Sequence, residues 1–128
     1  MKENELIELY EGGRRDFSRA DLEKADLSGI NLSGVSLTMA DLCEAELAGA
    51  FLIGANMIGA DLSRANLHGA LLFGADLSGA NLNEANLNGA NLVGANLENA
   101  NVSDEQLAQA KSLQFTILPD GTQRDCSL

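Results

Sequence analysis

Carboxylates recur at intervals of twenty residues in the N-terminal part of this chain. Asp21, Asp41 and Asp61 form one series, and Asp26 and Glu46 begin another. Carboxylates gathered on one surface can hold a hard cation, or they can present an electronegative patch to a basic partner. Groups suited to catalysis are scarce. The single histidine, His68, has no Ser, Cys or carboxylate placed by any motif as a nucleophile, base or orienting group. The two cysteines, Cys43 and Cys126, lie far apart and in no metal-ligand spacing, which reads as two free thiols in a reducing cytoplasm. No glycine-rich loop follows a strand and opens a helix, so no phosphate cradle is expected. These features point away from an enzyme, a cofactor or a small-molecule substrate.

The elements that carry these side chains follow from a repeat. Every fifth residue from 20 to 100 is Ala, except Ile30 and Val35. Every fifth residue from 22 to 102 is Leu, except Met57 and Val102. The position between them is mostly Asp or Asn. The unit is A-(D/N)-L-x-x, and it runs from Ala20 to Asp104 without an insertion. A period of five suits neither a helix nor a flat strand. Three extended residues would put Ala and Leu on the same, inward side, and the remaining two would make a corner. Four such units would close a square coil of twenty residues, and coils would stack at about 4.8 Å. Ten of the 13 glycines fall at the second residue after Leu, the turn position where positive φ is needed and glycine is cheapest.

The motif, as in Ala60-Asp61-Leu62-Ser63-Arg64-Ala65-Asn66-Leu67-His68-Gly69, resembles that of the pentapeptide repeat family. The resemblance implies an all-β solenoid, a right-handed quadrilateral β-helix, with Leu as the central inward residue and Ala as the second. Arg15-Asp16-Phe17-Ser18-Arg19 looks like one more degenerate unit with Phe17 central. The opening Leu9-Tyr10-Glu11-Gly12-Gly13-Arg14-Arg15-Asp16-Phe17 and the closing Leu118-Pro119-Asp120-Gly121-Thr122 resemble those of bacterial members, cyanobacterial ones especially. Some members of this family mimic duplex DNA and bind gyrase, which offers an alternative function.

A solenoid needs caps, because each end exposes unpaired edges and raw core. The sequence divides into an N-terminal cap with a degenerate repeat (1–19), the β-helix (20–104) and a C-terminal cap (105–128). Asn4 is expected to N-cap a short helix over residues 4–11, stopped by Gly12 and Gly13. Ser103 and Gln106 have capping-box spacing and should open a second helix through about Ala110. Gln114 to Leu118 reads as a strand ended by a Pro119-Asp120-Gly121 turn.

Stacking residues twenty apart turns the chain into four faces. One corner reads Lys24, Glu44, Arg64, Glu84, with no glycine, and is expected to use a different turn from the others. The acidic columns admit a cation site, a patch for a basic partner, or simply Asx side chains bonded to nearby backbone. The third face stands apart. Its outward columns read Asn31, Phe51, Leu71, Asn91 and Ser33, Ile53, Phe73, Val93, with Ile58 around the corner. Phe51, Ile53, Leu71, Phe73 and Val93 should form an exposed apolar patch, a surface for a protein partner or self-association unless a cap folds over it.

Composition sets the outer limits. Net charge is −11, so direct binding to nucleic acid is disfavoured. Hydrophobic residues make up 45% but aromatics only 4%, which leaves Leu and Ala to build the core. No apolar run is long enough to span a membrane. The expected protein is a rigid, acidic, non-enzymatic scaffold. A structural role without a dedicated ligand remains the third alternative beside the scaffold and the gyrase-directed mimic. The rod, at just over four coils, would be about 20 Å long, a short stub of duplex.

Overall fold

A computed structural model of the chain describes residues 1–124. The repeat forms a four-sided coil whose rungs pair in parallel with residues twenty apart, as in Asp21 with Asp41, Asp41 with Asp61, and Phe51 with Leu71. Each rung contributes one such pair. The Leu42 N–H donates to the Asp61 carbonyl at 2.8 Å, and the Asp61 N–H donates to the Ala40 carbonyl at 2.9 Å. The Ala45 N–H closes the intervening turn onto the Leu42 carbonyl at 3.0 Å. This pattern repeats from coil to coil and uses the backbone groups that a five-residue unit would otherwise leave unpaired.

Inside, the central residues from Phe17 and Leu22 to Leu97 are buried, and so is the column of every fifth residue from Ala40 to Ala100. Each buried Leu contributes about 2 kcal/mol before conformational entropy is subtracted. The faces are numbered by their units: face 1 begins at residues 20, 40, 60 and 80; face 2 at 25, 45, 65 and 85; face 3 at 30, 50, 70 and 90; and face 4 at 35, 55, 75 and 95.

The corner of face 1 departs from expectation. Lys24, Glu44, Arg64 and Glu84 have φ between 57° and 62°, against 65° to 73° for Gly34, Gly54, Gly74 and Gly94 at the corner of face 3. All corners share one turn. Hydrogen bonds to the coils on either side and the inward Leu and Ala fix the backbone first, and the side chain at the corner must accept the left-handed conformation. Arg19, Met39, Asn99 and Phe115 do the same.

Helix α1 spans Glu3–Glu11 and seals the N-terminal end with Leu6, which is fully buried. Its N-cap is Lys2, without a side-chain cap, two residues earlier than expected. Asn4 lies within the helix instead, where its Oδ1 accepts from the Glu5 N–H at 2.9 Å. Arg15, standing where an inward Ala would be, turns outward and stacks on Tyr10 with its guanidinium 3.8 Å from the ring centre.

Helix α2 spans Asp104–Ala108, with the capping box between Ser103 and Gln106 formed in both directions. Gln106 also donates through Nε2 to the carbonyls of Leu82 and Ala85, at 2.7 and 2.9 Å, and so satisfies the open edge of the last complete coil. Beyond α2 the expected strand over 114–118 does not form. The chain resumes coiling, with Ser112 under Asn91 and Ile117 under Asn96, twenty-one residues apart, so α2 absorbs one extra residue. Phe115, at φ 62°, is a corner, and buried Thr116 takes an Ala position with its Oγ1 donating to the Leu92 carbonyl at 2.6 Å. The Pro119-Asp120-Gly121 turn then brings Gln123 antiparallel to Ile117. Hydrogen bonds from the Thr122 hydroxyl and N–H hold the Asp120 carboxyl below the usual carboxylate range. The turn is therefore strongest at neutral pH and loosens as pH falls through that range and below it.

Candidate interaction surface

On face 3 the repeat projects two outward columns, one on each side of the inward Leu. Phe51 and Ile53 are 40% and 42% exposed, and Leu71, Phe73 and Val93 are half-buried beneath them. The five residues named from the sequence thus stand on adjacent rungs of one face. Ile58 is exposed on face 4, and Met39 lies across Gly59 beside it. The sequence reading missed Met39, although its place in the corner column above Gly59 could have signalled it. It also missed Phe115, exposed at the corner below Gly94, because the extra residue in α2 hides its register.

Among the described residues no cap covers the patch. Helix α1 leans on the top of face 3, where the Tyr10 hydroxyl donates to the Ser33 carbonyl at 2.7 Å. It stops there, leaving a cavity of about 200 Å³ lined by Ile7, Tyr10, Glu11, Ile30, Asn31 and Leu32. The cavity sits one rung above Phe51 and extends the apolar column toward the helix.

The acidic columns lie on faces 1 and 2. Asp21, Asp41 and Asp61 stack on face 1, with Asn81 and Asn101 below, and Asp26 and Glu46 stack on face 2 above Asn66 and Asn86. Their chemistry is largely local. The Oδ1 atoms of Asp21, Asp26, Asp41 and Asp61 each accept the N–H two residues on, at 3.0 to 3.3 Å, the Asx bonding expected of such a ladder. Glu23, outside the column, brings a carboxylate within 4.8 Å of those of Asp21 and Asp41. All three groups are open to solvent or nearly so, and no buried donor set completes a cage. Lower down, Asn can do what Asp cannot. Asn101 donates from Nδ2 to the Asn81 Oδ1 at 3.0 Å, and Asn66 donates to the Glu46 Oε2 at 3.0 Å.

Two ion pairs join the corner residues of face 1, Lys24 to Glu44 at 4.0 Å and Arg64 to Glu84 at 3.1 Å, all exposed. His68 is exposed on face 2, and its backbone N–H bonds to Asn66. Cys43 is a free, half-buried thiol near the Ser63 hydroxyl, and Cys126 lies outside the described residues. Among the described residues no helix is long and apolar enough to cross a membrane.

The family model for pentapeptide repeats (8 copies) matches residues 16–42, 36–72 and 70–104, well over half of the chain. The chain belongs to the pentapeptide repeat family, and its fold is the right-handed quadrilateral β-helix of that family. It is similar to a pentapeptide repeat protein from Nostoc PCC 7120, with 42% identity over 85% of this chain and 93% of that one and a TM-score of 0.78. HetL, a Nostoc protein involved in heterocyst differentiation regulation, shares 30% identity over 84% of this chain and 61% of its own, with a TM-score of 0.53. A pentapeptide repeat protein from the Arabidopsis thaliana thylakoid lumen shares 29% identity over 77% and 71%, with a TM-score of 0.58. No protein of curated description matches the chain.

Proposed function

We propose that the protein is a non-enzymatic interaction scaffold that meets a protein through face 3. One observation carries this reading: Phe51, Ile53, Leu71, Phe73 and Val93 gather on one outer face, where both outward columns turn apolar, and among the described residues neither cap covers them. The inward Leu and Ala columns pack into one buried core along the coil, which supports a role at the surface over substrate chemistry inside it. HetL, involved in heterocyst differentiation regulation, is an example of the family in a regulatory role. Nothing of comparable weight favours a gyrase-directed mimic, because the acidic columns of faces 1 and 2 turn to Asn halfway down. The half-buried thiol of Cys43 supports a reducing compartment such as the cytoplasm, while the lumenal Arabidopsis relative marks another compartment in which the fold occurs.

Solution mass by light scattering and partner capture on immobilised protein, each with wild type, Phe73→Asp and Ile53→Asp, test the reading. Both variants should melt like wild type, since these side chains point outward, and should lose whatever association wild type shows. Association that survives both substitutions overturns it.

A further inference from the structure

We infer that face 3 receives the same face of a second copy of the chain, turned end for end, in an antiparallel two-fold pair. This rests on the reading of face 3 as a protein contact surface and names what sits there.

Side chains must make the contact. The Leu52 N–H is taken by the Leu71 carbonyl, the Leu71 N–H by the Ala50 carbonyl, and the Gly74 N–H by the Val93 carbonyl, so a strand cannot add to these rungs.

Charge leaves this side open to a chain of the same sign. No Asp, Glu, Lys or Arg occurs in residues 30–34, 50–54, 70–74 or 90–94. The nearest outward column on face 2 is Ser28, Ala48, His68 and Asn88. On face 4 it is Ser36, Asn56, Asp76 and Asn96. Only His68 and Asp76 among these can titrate, and the Asp76 carboxylate is bound by the N–H and hydroxyl of Ser78. Asp26, Glu46 and Glu98 lie on the remote sides of their faces, and Asp21, Asp41 and Asp61 lie on face 1, opposite face 3. Two chains that each carry −11 therefore approach through face 3 with their carboxylate columns turned away, and salt screens what remains over about 10 Å. At the upper end of the strip Glu11 lies on the face 2 side, with Ile30 and Asn31 around the cavity. At the lower end Lys111 lies on the same side, its N–H on the Ala90 carbonyl. Turning one copy end for end brings each Glu11 toward the other copy's Lys111. Arg15, stacked on Tyr10, and Arg124, joined to Thr116, are brought together on the face 4 side, a like-charge meeting at the solvated rim that costs little.

Bulk selects the second copy and its direction. The rungs of face 3 run from Asn31 through Phe51, Leu71 and Asn91 to Ser112. Phe51 and Ile53 make the second rung stand high, at 40% and 42% exposed, whereas Asn91 and Val93 make the fourth low and half-buried. Phe115 projects from the corner of the fifth rung, where the first has Gly34. A two-fold axis across the face through the Leu71 rung sets high on low. Ile53 meets Val93, Phe51 meets Asn91, Phe115 covers Gly34, and Leu71 and Phe73 meet their own counterparts. An axis along the rod would instead set Phe51 on Ile53 and hold the low rungs apart. The accessible surface of 6203 Å², shared among four sides and two ends, gives roughly 1,000 Å² per side, enough for the about 800 Å² that each partner of a standard interface buries.

Light scattering on the full chain at about 100 μM should give twice the mass of one chain, and Phe73→Asp and Ile53→Asp should each halve it while melting like wild type. Cross-linking reads the direction. In chains carrying Cys43→Ser and Cys126→Ser, a bismaleimide about 8 Å long should join Phe73→Cys chains to each other, and Ile53→Cys chains to Val93→Cys chains, across faces packed about 10 Å apart. Phe51→Cys chains should not be joined to Ile53→Cys chains. The reverse pattern means a parallel pair and overturns the proposal. A wild-type monomer at that concentration also overturns it, and capture of a foreign protein that Phe73→Asp abolishes would then leave face 3 as a contact surface. A dimer that both Asp variants keep overturns the second copy on face 3 and the reading of that face together.

Discussion

Faces 1 and 3 are built on one backbone and present opposite surfaces. Both bury a Leu at the centre of each full rung, with Leu62 and Leu72 fully enclosed, and both turn at a corner in the left-handed region. Outside, face 1 sets charge on its rungs and pairs its corners ionically, whereas face 3 sets Phe, Ile, Leu and Val there and has no charge. The inward columns and the coil-to-coil hydrogen bonds therefore decide the backbone, and the outward columns are free to vary with what the molecule meets. One backbone of this kind can therefore carry different surfaces.

The largest expected effect attacks what the two faces share. Leu62→Asp and Leu72→Asp should each bury an unpaired carboxylate and cost about 4 kcal/mol or more, abolishing a cooperative thermal transition measured by circular dichroism. If either variant melts like wild type, the inward assignment on that face is wrong. The corners give a smaller, sharper contrast. Gly74→Ala should cost about 1 kcal/mol in a urea titration, purely for the left-handed backbone, because an added Cβ meets no atom within 4 Å. Glu84→Ala, where that conformation is already borne by a side chain, should change stability by about 0.5 kcal/mol at most. Equal losses at the two corners would show that the strain does not reside there.

Asp41→Asn should stabilise by about 0.5 kcal/mol, with the gain shrinking at high salt. The new Nδ2 can donate to Asp21 as Asn101 does to Asn81, the Oδ1 keeps the Cys43 N–H, and a charge between Asp21 and Asp61 disappears. A loss of stability would mean that the acidic column is held by something other than local Asx bonding. Smallest of all, Glu84→Gln should leave the urea midpoint almost unmoved, because both partners of the Arg64 pair are more than half exposed.

The coil, the burial of Phe17 and the apolar face were legible because a period of five fixes which residues share a side, and a period of twenty fixes which residues stack. Where the repeat lapses, legibility ended. Leu113 and Leu118 continue the inward column, but the extra residue taken up by α2 shifted their register, and Gln114 to Leu118 looked like a strand. The corner of face 1 was misread for another reason: Lys24 and Arg64 were judged by local preference, which stacking overrides. The convergence of Glu23 with Asp21 and Asp41 depends on side-chain reach, which a column of letters does not contain.

By itself the sequence determined the solenoid, its inward Leu and Ala ladders and the identity of its odd face, because each follows from spacing along one chain. Only the tertiary structure decided that the charged corner turns like the glycine corners, that Gln106 closes the lower edge, and that α1 stops short of Phe51. Those outcomes arise from competition between a residue's local preference and the hydrogen bonds and packing of coils twenty residues away.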